Sequence, residues 1–365
     1  MNVKKTEKKK ILIKGTLGYN GIAQVVMNYC MALKNENDYD FIVTDAPDAT
    51  REDYKKTCRE NGWNIYYLPS PVKHFFSYFK QVKKIIKSNQ YDTYHINGNS
   101  GVMLFDVVAG KSTKIKTIVH SHNSSCKFKL LHKLCKPFLK KCKAEKLACS
   151  DLAGKWVYGK SEYTVLNNCI DYNRFSFDER KRNELRKALR IDTDTFMVLQ
   201  VGNLQEEKNQ GYTLHFFASF LQECPNAVLV FCGGGPDKEK LEQQITSLGL
   251  QQKVRFAGKV PNVNEYYIAA DVLVQPSVYE GLPLTLLEGQ AADLPCLASS
   301  NITRQCEVSE NVTFLGIAPS DCEKWVEALL RCKKEKKPRR QVSDEWLNGS
   351  FDINRQAQIL QKIYE

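Results

Sequence analysis

One unit recurs along this chain and limits its fold more than any other feature. It is a short apolar run, a glycine at or just past its end, and then a stretch with helical spacing. Lys10–Lys14 leads into Gly15-Thr16-Leu17-Gly18-Tyr19-Asn20-Gly21, and a helix is expected from about Ile22 to Leu33. Further strands are expected at Phe41–Thr44, Ile65–Leu68, Tyr94–Ile96, Ile115–His120, Lys146–Ser150 and Tyr163–Leu166. Helices fall between them around Ala49–Asn61, Phe75–Ser88 and Val102–Ala109. Near Tyr172–Phe177 the pattern breaks and then begins again. Phe196–Val201 ends in Gly202-Asn203-Leu204, Ala227–Cys232 in Gly233-Gly234-Gly235, and Val254–Phe256 is followed by Gly258-Lys259-Val260-Pro261. Strands alternating with helices imply parallel sheets with helices on both faces, so the expected class is α/β with two doubly wound domains. With 365 residues, the chain has length for two cores. The expected division is 1–175, 176–345 and a tail helix, 346–365, packing back on the first domain.

The chemistry concentrates in Ser277–Ser299. Val272-Leu273-Val274 reads as a buried strand, Gly281 as a turn, and Pro283 as the first residue of a helix, where a missing N–H costs nothing. Glu280 then falls in the loop and Glu288 inside the helix. A helix N-terminus attracts phosphate, and a carboxylate accepts from paired sugar hydroxyls, so the two acids suit the sugars on either side of a diphosphate. The plainer reading is that Glu280 caps the helix and Glu288 is solvated. Lys208, just after a strand, suits a diphosphate as a point charge.

In the first half, His120-Ser121-His122-Asn123 follows a strand, on the side of a parallel sheet where ligands gather. His74, His95, His132 and His215 read as packing residues. Asp38-Tyr39-Asp40 and Asp192-Thr193-Asp194 precede strands and read as turns, so no metal site is expected. Thirteen scattered cysteines with no CxxC pair argue against zinc and a disulfide framework, and for a cytoplasmic setting. No signal peptide is expected, and no apolar run is long enough to span a bilayer.

Net charge is +12, and it has one source. Residues 71–160 hold eighteen lysines and no arginine against Asp92, Asp106, Glu145 and Asp151. Within it, Phe75 and Phe76 lie among Lys80, Lys83 and Lys84, a pattern suited to an anionic membrane surface. The absence of arginine argues against nucleic acid as the partner.

Together, Gly202-Asn203-Leu204 with Lys208-Asn209, the glycine triplet, and Glu280 with Glu288 eight positions on resemble the retaining glycosyltransferases of family 4. The phrases His120-Ser121-His122-Asn123, Cys149-Ser150-Asp151-Leu152-Ala153-Gly154 and Glu280-Gly281-Leu282-Pro283-Leu284 are similar to those of bacterial members that build capsules and exopolysaccharides. The resemblance implies the GT-B fold, two Rossmann-like domains facing across a cleft. The first would bind the acceptor and the second a nucleotide sugar, usually a UDP-sugar. By that resemblance Glu288 would hold the ribose and Glu280 the donor sugar. The backbone N–H groups of Leu284 and Thr285 would meet the diphosphate, and Lys208 would neutralise it as it leaves. Gly202, Asn203, Gly233 and Gly234 would line the donor, the backbone of Lys259 and Val260 the base, and the loop from Gly15 to Gly21 would close over it. His120 or His122 would stand beside the reacting carbon, with no metal or other cofactor. The family has arginine at Asn203 and glycine at Asp293. The expected acceptor is a lipid-linked saccharide, reached by peripheral binding at the inner face of the plasma membrane. Two alternatives share some of these features: a UDP-sugar epimerase of the same architecture, and a basic polyanion-binding protein.

Overall fold

A computed structural model of the chain describes residues 8–123, 126, 128–280, 282–335, 338–340 and 349–365. It divides into two units, Met1–Ile170 with Ser350–Glu365, and Asp171–Gly349.

The first unit holds strands β1 (Lys9–Gly15), β2 (Asn37–Val43), β3 (Ile65–Tyr67), β4 (Thr93–Gly98), β5 (Lys116–Ser121), β6 (Glu145–Ala148) and β7 (Thr164–Val165). They form one parallel sheet in the order β3-β2-β1-β4-β5-β6-β7. Its core joins Leu12, Ile42, Tyr94, Ile96 and Val119 from the strands to Tyr78, Val82, Val107 and Val157 from the helices. The helix Ile353–Tyr364 belongs to this unit and packs with the helix Gly21–Ala32.

The second unit holds β8 (Phe196–Val201), β9 (Ala227–Cys232), β10 (Val254–Gly258), β11 (Val272–Gln275), β12 (Cys296–Ser299) and β13 (Val312–Leu315), in the order β10-β9-β8-β11-β12-β13, again all parallel. In both sheets the order reverses beside the first strand, the signature of a doubly wound Rossmann-like sheet. All six residues of β9, Ala-Val-Leu-Val-Phe-Cys, are buried, as a central parallel strand covered on both faces requires.

Three local expectations are corrected. Pro283 stands at the N-cap, in extended backbone, and the helix runs Leu284–Ala291. Asp38 and Asp40 lie within β2 instead of a turn. Asp40 is buried, and its Oδ1 accepts from the Asn64 backbone N–H at 2.6 Å, which explains a strand acid inside the fold. His74 precedes the helix Phe75–Asn89 at its N-cap instead of lying within it.

Candidate active site

In the second unit, Lys208 and Glu280 come from the loops that leave β8 and β11. Those are the neighbours at which the sheet order reverses, where ligands of such sheets collect. Lys208 ends a short 3-10 turn, Glu206–Lys208, and its ammonium donates to Glu280 Oε1. The same oxygen accepts from Gln275 Nε2 at 3.0 Å and Ser277 Oγ at 2.9 Å. So Glu280 is held by side chains and is not the helix cap. Gln200, buried in β8, donates to the Lys208 carbonyl at 2.7 Å and accepts from Thr213 at 2.7 Å, which fixes the lysine's backbone.

Glu288 lies on the helix Leu284–Ala291 and is buried, not solvated; the Tyr267 hydroxyl donates to its Oε2 at 2.7 Å. Burial first, and then the Glu288 carboxylate, push the Tyr267 hydroxyl well above its ordinary range, so it stays a donor. Leu284 and Thr285 form the first turn of that helix, with their backbone at its N-terminal end.

The glycines build the rim between these strands. Gly202 and Gly233 have φ of +146° and +148°, and a side-chain Cβ on Gly233 would sit 1.9 Å from the Gly202 carbonyl oxygen. The Lys208 side chain lies across Gly202, and that of Lys259 lies across Gly234, each within ordinary or tight van der Waals reach of a Cβ built there. The Asn203 carbonyl accepts from Gln210 Nε2 at 2.9 Å. Val260 follows Lys259 in the loop after β10. Gly281 lies outside the described residues.

In the first unit, the register pairs Asn97 with His120 and His95 with Ile118, so His95, Asn97, His120 and His122 share one side of the sheet end. The rings stack. His95 and His120 lie 5.6 Å apart at 13°, and His120 and His122 4.0 Å apart at 38°. His122 Nε2 meets Asn97 Oδ1 at 2.8 Å, and His95 Nδ1 meets the Tyr364 hydroxyl at 2.8 Å. Burial drives all three rings towards the neutral form: His95 to about 3, His122 to about 4, and His120 well below the usual histidine range, with neighbouring histidines adding to the effect for His95 and His120. The Nε2 atoms of His95 and His120 are buried without partners among the described residues, beside a cavity of ≈ 10 Å³ lined by the three histidines, Asn97 and Tyr364. Gly15 ends β1, Gly21 begins the helix Gly21–Ala32, and Asn20 between them caps that helix through the Ala23 N–H at 3.0 Å.

The structure thus gathers Lys208, Glu280, Gly202 and Gly233 in one unit, and the histidines in the other. Sequence reasoning missed Gln275, Ser277, Tyr267, His95 and Asn97. A signal existed for the last two: His95-x-Asn97 and His120-x-His122 have the same two-residue step at the ends of consecutive strands. Arg304 pairs with Glu307 at 3.2 Å and stacks on Phe314. Among the described residues, no group of three His, Cys, Asp or Glu is placed to hold a metal ion.

The basic helix Phe75–Asn89 buries Tyr78, Val82 and Ile86. Phe76 is 86% exposed and Lys80 and Lys84 are exposed, whereas Phe75 and Lys83 are half-buried, Phe75 packing on Phe79 and Phe105. The helix Lys129–Lys141 likewise buries His132, Cys135 and Leu139 and exposes Leu130, Leu134 and Phe138. No helix among the described residues is long and apolar enough to cross a membrane.

Residues 181–345 match the family described as glycosyl transferases group 1. The chain is 26% identical over 376 residues to EpsF of Bacillus subtilis (strain 168), named as a glycosyltransferase, covering 98% of this chain and 97% of that one. It is 26% identical over 314 residues to the UDP-Gal:alpha-D-GlcNAc-diphosphoundecaprenol alpha-1,3-galactosyltransferase of Escherichia coli, covering 78% of this chain and 81% of that one. In fold it is similar to Anabaena Alr3699/HepE, solved in complex with UDP and glucose, with a TM-score of 0.79 and 15% identity over 97% of this chain and 99% of that one. With paired acids and a lysine where the second sheet reverses, and with these relatives across its length, the chain is a glycosyltransferase whose residues 181–345 match the glycosyl transferases group 1 model.

Proposed function

We propose that the chain is a retaining glycosyltransferase that moves a sugar from a UDP-sugar to a lipid-linked saccharide in capsule or exopolysaccharide synthesis. The observation that carries this reading is the cluster of Lys208, Glu280, Gln275 and Ser277 beside the glycine rim. The Escherichia coli relative, which by its name takes UDP-galactose and a diphosphoundecaprenol acceptor, supports the donor and acceptor classes, and the UDP and glucose in Anabaena Alr3699/HepE support the nucleotide.

In this reading Glu288 accepts the ribose hydroxyls and Glu280 a hydroxyl of the donor sugar. The bond from the anomeric carbon to the diphosphate breaks, and charge grows on the departing oxygen. Lys208 and the N–H groups of Leu284 and Thr285 meet that charge, which makes their attraction strongest in the transition state. The acceptor hydroxyl attacks from the same face, and its proton passes to the departing phosphate oxygen. No protein carboxylate becomes a nucleophile. The backbone at Lys259 and Val260 takes the base. His122 has the sugar-facing role over His120, because it lies past the end of β5 while His120 is stacked beneath it. As a neutral ring, His122 acts as a hydrogen-bonding group. No metal is required in this reading, so transfer should persist in EDTA.

The lysine-rich surface that carries Phe76, Lys80 and Lys84 suits peripheral attachment to an anionic cytoplasmic leaflet, where such an acceptor resides. The test is a thermal-shift screen of UDP-sugars, since a ligand of the native state raises its melting temperature by mass action. The donor that binds is then supplied with a polyprenyl-diphosphate saccharide, and the product's anomeric configuration is read by NMR. An inverted product removes the retaining mechanism, and isomerisation of UDP-N-acetylglucosamine without acceptor moves the chain to the epimerases.

A further inference from the structure

Glu280 sits in a loop, where an unrestrained carboxylate samples several rotamers. Here one of its oxygens is saturated. Oε1 accepts from Lys208, Gln275 and Ser277, while Oε2 has no partner among the described residues. Both neutral donors are buried, Gln275 at 2% exposure and Ser277 at 0%. Gln275 is the last residue of β11, and the three residues before it are Val272, Leu273 and Val274, all buried. An apolar residue would continue that pattern. The amide instead leaves its own Oε1 buried and without a partner among the described residues, an unfavourable arrangement. What it gains is the N–H to Glu280.

There is a reason for two neutral donors beside a lysine. Lys208 must turn its charge to the diphosphate when the donor binds, and its hold on Glu280 then weakens. Gln275 and Ser277 carry no charge to divert, so the carboxylate stays aimed through the reaction.

We propose that Gln275 and Ser277 are positioning residues that fix Glu280 for the donor's sugar, and so set the preference for a UDP-sugar over UDP itself. The inference rests on the donor-site reading above, and its test separates the two. Affinities for UDP, UDP-glucose, UDP-galactose and UDP-N-acetylglucosamine are measured by titration calorimetry on the full chain. The variants are Ser277→Ala, Ser277→Thr and Gln275→Met, each with its melting temperature. Losing a hydrogen bond to a charged group weakens binding about tenfold or more.

The expected result is about tenfold weaker binding of the UDP-sugar in Ser277→Ala and in Gln275→Met, with UDP changed less than about threefold. Ser277→Thr, which keeps the hydroxyl, should stay within about threefold of the parent for both ligands. Equal losses of UDP and UDP-sugar would make the two residues structural and overturn the inference, as would unchanged binding of both. If the parent binds UDP-sugars and the variants bind them equally well, only this inference fails. If the parent binds none of them, the donor reading fails and takes the inference with it. Should Gln275→Met not fold, the Ser277 pair decides alone.

Discussion

In the proposed reading, the one side chain of Glu288 serves both the fold and the ligand. Its carboxylate satisfies the buried Tyr267 hydroxyl, so removing it leaves a buried donor unpaired, at a cost of about 1–3 kcal/mol. Glu288→Ala is therefore expected to lower both the melting temperature and UDP affinity. Glu288→Gln keeps an acceptor for Tyr267 and should melt near the parent while binding UDP about tenfold more weakly; calorimetry and a melting curve on both variants check this. Glu280→Ala is expected to abolish transfer in a folded protein, and full activity in that variant would remove Glu280 from the site. Asp293 is a contrasting case. The family's glycine here is explained by a φ of +48° just past the helix Leu284–Ala291, a conformation that costs a non-glycine residue about 1–2 kcal/mol. The side chain compensates by pairing with Arg340 at 3.1 Å, so its departure from the family concerns the helix end and not the donor. Asp293→Gly should leave UDP binding unchanged. At this scale the sequence exposed the acids and the lysine, because they stand beside glycines just after strand-like runs, on the side of a parallel sheet where ligands gather. It hid Gln275 and Ser277, because their role is a contact that only the folded loop creates.

Among elements, the strands were the most legible. The runs Phe196–Val201 and Ala227–Cys232 coincide with β8 and β9, since central parallel strands must be apolar throughout. β13 and the helix Cys322–Glu335 have no such signature in the patterns above. All four residues of β13 are only half-buried, as an edge strand allows, and this dilutes the apolar signal. The histidine stack was legible only in part, for another reason: it joins β4 and β5 to Tyr364, the end of a helix from a distant part of the chain. Its behaviour with pH follows from burial. The folded rings resist protonation, while the unfolded chain takes up protons near the ordinary histidine pKa of 6.5. The stability they confer is thus fully present above about pH 6.5 and drains as pH falls towards 4, at up to about 1.4 kcal/mol per pH unit for each ring. Melting temperatures between pH 7.5 and 4.5 should fall steeply, and His95→Gln should flatten that slope. A parallel slope in the variant would place the titrating groups elsewhere.

Over the whole molecule, charge is as unevenly distributed as structure. The lysine excess falls in residues 71–160, all within the first unit, and the paired acids and rim lysine fall in the second. Sedimentation with anionic vesicles should weaken as salt rises, and should weaken further when Lys80, Lys83 and Lys84 are replaced by glutamine. Binding that ignores the substitutions would return that helix to a purely packing role. The two units also differ in continuity: Asp171–Gly349 is one unbroken stretch, whereas the first unit needs Ser350–Glu365 as well. On the ribosome this sets an order of maturation. The second unit's whole sequence must be translated before Tyr364 exists to meet His95, so the nascent first unit waits, with an open flank where the helix Ile353–Tyr364 will lie, while its neighbour is made. A frameshift or early stop after residue 349 would spare the later-encoded unit and leave the earlier one unfinished.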